Sequence, residues 1–152
     1  MKINKITRED VENFRSWGAK ANLDEYQQIA TKSAIYPGQG TPLGLIYVAL
    51  KLNGEAGELA EHVGKAMRDD NLMPVAEVCP ECEGPLSVAI LEGTFTPDRR
   101  ALIIKEIGDV LWYLSAACNE LGITLSEAAT INLEKLCSRG ERDVLQGSGD
   151  ER

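Results

Sequence analysis

The chain has 152 residues, of which 43% are hydrophobic and 26% are charged, and its formal net charge is −8. This length and composition predict a globular protein with one core, and no apolar run approaches the roughly 20 residues that cross a bilayer. The acidic balance argues against electrostatic binding of nucleic acid or anionic lipid. The N-terminus has no apolar signal segment. We therefore expect a cytoplasmic protein with no nucleic-acid or membrane partner.

The first part of the chain predicts two helices and then a break. Thr7 can cap a helix that runs to about Trp17. Asn22 and Glu25 form a capping-box pattern that opens a second helix, LDEYQQIATKSAI. The stretch YPGQGTP that follows is rich in proline and glycine, which favour turns.

A long amphipathic helix is predicted from Leu43 to about Arg68, because its apolar residues recur at helical spacing. These residues are Leu45, Val48, Ala49, Leu52, Ala56, Leu59, Ala60, Val63 and Met67. A second long helix is predicted from Pro97, with Thr96 as its N-cap, to about Leu121.

Thr124 and Glu127 make another capping-box pattern, which opens a last helix that Gly140 ends. Residues 71–96 contain three prolines and no sustained period. The stretch VAIL in this segment could form a short strand or a turn of helix, but we predict that the segment is an irregular excursion. The predicted fold class is therefore all-α. We expect a four- to five-helix bundle over residues 1–152, interrupted by an irregular cysteine-containing insertion at 71–96 and ended by a flexible polar tail at 141–152.

Both long helices contain the same arrangement, a carboxylate, any residue, a glycine and a second carboxylate. The pairs are Glu55 with Glu58 and Glu106 with Asp109, and each lies beside the apolar stripe of its helix. Residues three apart on a helix are neighbours, so like charges there repel. If the two helices pack antiparallel, the four acids can converge in one crevice, which is costly without cations. Oxygen ligands of this kind suit Mg²⁺, or Mn²⁺.

Gly57 and Gly108 precede the second acid of each pair and cost helix propensity, so a local reason for them is expected. They could allow the helices to approach closely or leave room for a ligand. The alternative for each acidic pair is an ordinary solvated helix face. We favour the shared site, because two matched pairs both flank an apolar stripe and both contain the glycine.

Asn132, Lys135 and Arg139 are spaced so that they share one face of the last predicted helix. Such a basic face could hold the phosphates of a substrate, and Lys51, in the same sector as the first acidic pair, could join it. The alternative is a solvated last turn, which the helix dipole favours.

Together these residues resemble the MazG-like family of all-α nucleoside triphosphate pyrophosphohydrolases, whose pattern is E-x-x-E on one helix and E-x-x-D on the next. Further stretches that resemble the family are LDEYQQIATKSAIYP, LKLNGEAGELAEHVGKAMRDD, KEIGDVLWYL, INLEKLCSRG and GSGDER. The resemblance implies homodimers or homotetramers. It also implies hydrolysis of a ribo- or deoxynucleoside triphosphate between the α and β phosphates, which yields a monophosphate and pyrophosphate.

Each candidate residue has an expected role, which the resemblance implies for the four acids and for Lys51, Lys135 and Arg139. The residues expected to bind Mg²⁺ are Glu55, Glu58, Glu106 and Asp109. Either Glu55 or Glu58 is expected to accept a proton from the attacking water, and Lys51 is expected to assist catalysis. The residues expected to bind the triphosphate are Asn132, Lys135 and Arg139.

Other residues are weaker candidates. The tail around Ser148 and Asp150 could fold over the nucleotide. His62, the single histidine, could be a metal ligand, but a bond to a neighbouring side chain is the favoured prediction. Three aromatic residues could contact the base, with packing or a subunit interface as the favoured alternative: Tyr26, Tyr36 and Trp112.

The cysteines raise the question of a second metal. Cys79 and Cys82 form half of a zinc-knuckle pattern, whereas a structural zinc site needs four ligands. The same knuckle of a second subunit could supply the other two, but an ordinary loop with two free thiols is the favoured prediction. Cys118 and Cys137 fall in predicted helices, and all four thiols are expected to be reduced.

Two other classes of protein compete with the hydrolase. A di-iron carboxylate bundle needs E-x-x-H on two helices, and no glutamate here has a histidine three residues later. A helical binding module is the non-enzymatic alternative, in which the acids hold a structural cation or the basic face of a partner.

Overall fold

A computed structural model describes residues 22–70, 72–78, 81, 85–92 and 94–141, together with Glu9. These residues form four α-helices, a short 3-10 turn and two strands. In chain order they are α1 (Leu23–Ala30), the 3-10 turn (Thr31–Ser33), α2 (Pro42–Asp69), β1 (Met73–Val78), β2 (Pro85–Glu92), α3 (Pro97–Leu121) and α4 (Leu125–Glu141). The all-α class is confirmed. The helix predicted at 7–17, apart from Glu9, and residues 142–152 of the predicted tail lie outside the described residues.

Three of the four described helices, α1, α3 and α4, begin at the predicted caps, and α2 begins at Pro42, one residue before the predicted start. The Asn22 side chain accepts a hydrogen bond of 2.9 Å from the Glu25 backbone, and the Glu25 carboxylate accepts one of 3.2 Å in return. At the start of α3 the Arg99 backbone donates to the Thr96 hydroxyl at 3.2 Å, and at the start of α4 the Glu127 backbone donates to the Thr124 hydroxyl at 3.0 Å. These bonds satisfy N–H groups that have no partner within the helix.

Helix α1 ends earlier than predicted. The Thr31 hydroxyl donates to the Gln27 carbonyl at 2.7 Å, and the Ser33 hydroxyl donates to the Ala30 carbonyl at 2.9 Å. Side-chain bonds of this kind compete with the regular helical ladder, and the chain tightens into a 3-10 turn. The prediction of one helix as far as Ile35 was therefore wrong in its last residues.

The insertion at 71–96 contains a β-hairpin, so the prediction of an irregular excursion was wrong for both strands. Strands β1 and β2 are antiparallel, with Met73 opposite Glu92 and Val75 opposite Ile90, and the register shifts between Ala76 and Val78. The prolines had argued against a strand. In a sheet of two strands both are edges, so a proline can lie where its missing N–H is not needed.

The backbone divides into two compact units. One contains the described residues up to Leu50 and from Trp112 onward, and the other contains Lys51–Leu111. In the first unit the core consists of Tyr36, Val48 and Ala116, packed against partly buried aromatic and alanine side chains. Among the described residues, no helix combines the length and the apolar character that crossing a membrane requires.

Two polar residues organise the first unit. The buried Gln27 amide of α1 bonds to the junction between α3 and α4, where its Nε2 donates to the Ile123 carbonyl and its Oε1 accepts from the Leu125 backbone. The Glu120 carboxylate of α3 accepts a 2.6 Å hydrogen bond from the Tyr36 hydroxyl, and its two oxygens share the Gly40 backbone N–H. Burial, together with the bond to Glu120, raises the pKa of the Tyr36 hydroxyl. The turn before α2 is thus tied to α3.

Candidate metal centre

Three carboxylates meet in the second unit. Glu55 and Glu58 lie one turn apart on α2, and Glu106 lies on α3. One oxygen from each of the three lies within 4.8 Å of the other two. Glu55 and Glu106 are half-buried, whereas Glu58 is exposed. The spacing within each helix was visible in the sequence, and the packing of α2 against α3 brings the two helices' acids together.

Gathering these charges has an electrostatic cost. Ionised carboxylates within 4.8 Å of one another repel, and the repulsion is screened less where the groups are half-buried, as Glu55 and Glu106 are. A divalent cation bound between the oxygens converts this repulsion into attraction. Such oxygen-only sets are the ligands that Mg²⁺ and Mn²⁺ prefer, so the three carboxylates fit the ion that the sequence predicted.

The fourth predicted acid is arranged differently. Asp109 lies one turn after Glu106 on α3, is exposed, and does not belong to the group of three in the described part of the chain. A Cβ atom built at Gly57 or Gly108 meets no described atom within 4 Å. Within the described part of one chain, close approach of the helices is therefore not the reason for these glycines. Room for a ligand stays a prediction.

Two basic side chains contact the acids. Lys51 Nζ lies 3.8 Å from Glu55 Oε1, with 46% of the lysine side chain exposed. His62 Nε2 lies 3.5 Å from Glu106 Oε1, and these two side chains are only 17% and 12% exposed. The lysine contact joins residues of one helix turn, whereas the histidine contact joins α2 to α3. The sequence predicted a neighbouring partner for His62, but it did not identify Glu106, because that partner lies on another helix.

The predicted phosphate-binding residues lie on α4, in the first unit. Asn132 is exposed, Lys135 is half-buried, and Arg139 is only 8% exposed. A buried guanidinium is not part of a solvated last turn, so that alternative fails for Arg139. Burial of arginine is unusual and requires interactions that satisfy its charge.

Two of the aromatic residues proposed to contact a base are used in packing. Tyr36 stacks on Tyr47 with ring centroids 5.9 Å apart, and Trp112 meets Tyr36 edge-on at 6.4 Å. Trp112 Nε1 also donates to the Ala30 carbonyl at 3.0 Å. The favoured prediction of packing is confirmed for these two rings.

Several predicted residues lie outside the described residues. These are Ser148 and Asp150 of the tail, Cys79 and Cys82 between the two strands, and the side chain of Cys137. The prediction of an ordinary loop with two free thiols stays a prediction. Cys118 is a free, buried cysteine of α3, and burial raises the pKa of its thiol. A buried thiol with a raised pKa is unreactive.

The fold and the site define a class of helical proteins in which two long helices bring carboxylates together. The sequence matches the model of the family described as "MazG nucleotide pyrophosphohydrolase domain" over residues 46–142. The chain therefore belongs to the MazG nucleotide pyrophosphohydrolase family.

A curated phage protein is similar to most of the chain. The chain is 39% identical over 134 residues to the Gene 37 protein of Mycobacterium phage L5, and the matched region covers 86% of this chain and 99% of that protein. No solved structure is significantly similar to the chain.

Proposed function

We propose that the protein hydrolyses a ribo- or deoxynucleoside triphosphate between its α and β phosphates, with Mg²⁺ as the cofactor. The products are a nucleoside monophosphate and pyrophosphate. The observation that supports the proposal is the meeting of Glu55, Glu58 and Glu106 within 4.8 Å in a member of this family.

In this proposal the three gathered carboxylates hold Mg²⁺, and Asp109 joins them when substrate binds. The bound ion supplies charge neutralisation of the phosphates and a lower pKa for the attacking water. The exposed Glu58 and the half-buried Glu55 are both candidates to accept the proton of that water. Glu58 is the better placed of the two to pass that proton on to solvent, because its side chain is exposed.

The basic residues take the other part of the reaction. The Lys51 side chain is 46% exposed, and its ammonium lies 3.8 Å from Glu55, one of the proposed metal-binding carboxylates. Lys51 can therefore leave Glu55 and contact a phosphate oxygen of the substrate instead. Lys135 and Arg139 would hold the triphosphate, with Arg139 forming paired hydrogen bonds and Asn132 adding an amide donor. A nucleoside triphosphate as substrate fits a cytoplasmic protein.

We also propose that residues 1–152 form one MazG-like domain that assembles into a homodimer or homotetramer. The family match covers parts of both compact units, which supports a single domain. No nucleic-acid or membrane partner is part of this proposal, because the net charge of −8 opposes both.

The decisive experiment is incubation with a panel of ribo- and deoxynucleoside triphosphates and Mg²⁺, followed by separation of the products. We expect monophosphate plus pyrophosphate from at least one substrate, and no diphosphate plus phosphate. Chelation of the metal should abolish turnover. A binding module would release no pyrophosphate from any of the nucleotides.

Two variants test the site. Glu58→Gln and Asp109→Asn should keep the fold and lower kcat/KM by at least about 100-fold, because each removes a carboxylate that this proposal assigns to the cation in the substrate complex. Glu61→Gln is the matched control, since Glu61 lies on the same helix, is 62% exposed and pairs with Lys65 rather than with the acids. Ordinary turnover by both site variants would contradict the assignment.

A further inference from the structure

His62 contacts an acid of the site from the neighbouring helix. It lies on α2, one turn after Glu58, and its Nε2 is 3.5 Å from Glu106 Oε1 on α3. Both side chains are largely shielded from water, with 17% and 12% of their surfaces exposed. A contact between two shielded groups on different helices restricts both side chains more than an exposed contact within one helix does.

The burial of the ring identifies the nitrogen that matters. His62 Nδ1 is buried and has no hydrogen-bond partner among the described residues. The polar interaction of the imidazole therefore runs through Nε2 toward Glu106. A carboxylate oxygen can only accept a hydrogen bond, so a proton on Nε2 would be the donor toward Glu106.

His62 is placed beside the cluster of acids and not within it. The group whose ligand atoms all lie within 4.8 Å of one another consists of Glu55, Glu58 and Glu106, and it does not include either nitrogen of His62. The imidazole can therefore affect a bound cation by holding a ligand, rather than by acting as one. Partners of this kind set the orientation of a metal-binding carboxylate.

We propose that His62 is a positioning residue, which holds the Glu106 carboxylate so that it binds a divalent cation together with Glu55 and Glu58. The inference rests on the proposed function for the identity of the site. Without the Nε2–H donor, Glu106 rotates among several orientations and loses part of its contribution to cation binding. The expected effect is about a tenfold weaker affinity, within the range seen when such partners are removed.

The test measures Mn²⁺ binding to the full-length metal-free protein by electron paramagnetic resonance, with no nucleotide present. His62→Gln places an amide N–H near the position of Nε2, whereas His62→Asn places it nearer to Nδ1. His62→Leu keeps an apolar volume and removes the donor. We expect nearly unchanged affinity for the Gln variant and about tenfold weaker binding for the Asn and Leu variants.

Lys65→Met is the matched control. Lys65 lies on the next turn of α2 and pairs with Glu61 at 2.6 Å, so its removal should leave Mn²⁺ binding unchanged. A second control is a double-mutant cycle that combines His62→Leu with Glu106→Gln. If His62 acts through Glu106, its replacement by Leu should have little further effect once the carboxylate is gone, whereas a general structural defect would persist.

Specific outcomes overturn the inference. They are a wild-type protein that binds no Mn²⁺, Gln and Asn variants that weaken binding equally, and an undiminished loss in the Glu106→Gln background. The Gln and Asn comparison remains decisive if the Leu variant does not fold. Because no nucleotide is used, a protein that binds Mn²⁺ in a His62-dependent way but hydrolyses no triphosphate would contradict the proposed function alone.

Discussion

Gln27 shows how one buried polar residue connects a helix to a distant junction. Its side chain is buried, and Nε2 donates to Asn119 Oδ1 at 2.7 Å and to the Ile123 carbonyl at 3.1 Å. Its Oε1 accepts from the Leu125 backbone at 2.7 Å. A buried amide is tolerated here because both its nitrogen and its oxygen form hydrogen bonds. Asp24 adds to this connection by accepting a 2.9 Å bond from the Ser126 backbone, which lowers the pKa of its carboxyl.

Replacing Gln27 by leucine should destabilise the protein strongly. The change leaves the Leu125 N–H and the Ile123 carbonyl without this partner, and each such group costs about 1–3 kcal/mol. We expect a free energy of unfolding lower by about 2–6 kcal/mol, measured by urea denaturation. Gln28→Leu is the control, since Gln28 is the next residue of α1 and is exposed. Equal effects of the two substitutions would contradict the role assigned to Gln27.

At the scale of elements, an ion pair joins the two helices on either side of the hairpin. Asp70 follows the end of α2, and Arg99 lies in the first turn of α3. Arg99 Nε lies 2.8 Å from Asp70 Oδ2, and Nη2 donates to Oδ1 at 3.3 Å. These side chains are only 14% and 15% exposed. The hydrogen bonds from Arg99 lower the pKa of the Asp70 carboxyl below its ordinary value of 3.8.

The lowered pKa predicts how stability depends on pH. The ion pair stabilises the fold at any pH above 3.8, and this stabilisation is lost as the pH falls through the lowered pKa of folded Asp70. Asp70→Asn should therefore lower the melting temperature at pH 7, and the difference from wild type should shrink below about pH 4. Thermal unfolding followed by circular dichroism measures both. Asp69→Asn should change little, because its pair with Arg68 is 43% and 71% exposed. A difference that stays constant with pH would refute the ion pair's contribution.

Prediction from sequence succeeded for elements with local signals and failed for those without. Asn22, Thr96 and Thr124 marked helix starts because a cap acts within three residues of itself. The hairpin was missed because its pairing of Met73 with Glu92 joins residues far apart in sequence. Neither strand shows strong alternation, and an isolated pair of strands depends on its surroundings for stability.

At the scale of the whole molecule, helix α2 presents an exposed apolar face. Leu43, Ile46 and Leu50 are spaced to share one side of the helix and are 57%, 57% and 71% exposed. Single exposed apolar residues are ordinary, but a continuous stripe on one helix indicates a surface that a partner covers. A second copy of the chain is the partner expected from the resemblance to the family.

We predict that this face lies in the homo-oligomer interface. Light scattering after size-exclusion chromatography should give two or four times the 16.6 kDa mass of one chain. Ile46→Glu should shift the mass toward the monomer, because burial of an unpaired charge in an apolar contact is unfavourable. Gln28→Glu adds the same charge at an exposed polar position and should leave the mass unchanged. A wild-type protein that runs as a monomer would refute the prediction.

The sequence by itself determined the helical class, the helix starts and the two acidic pairs, because periodicity and capping act over a few residues. Only the tertiary structure decided that Glu106 meets Glu55 and Glu58 whereas Asp109 remains exposed. It also decided that His62 contacts Glu106. These relations depend on how α2 packs against α3, and a helix-face pattern specifies an angle around one axis but not the partner across the contact.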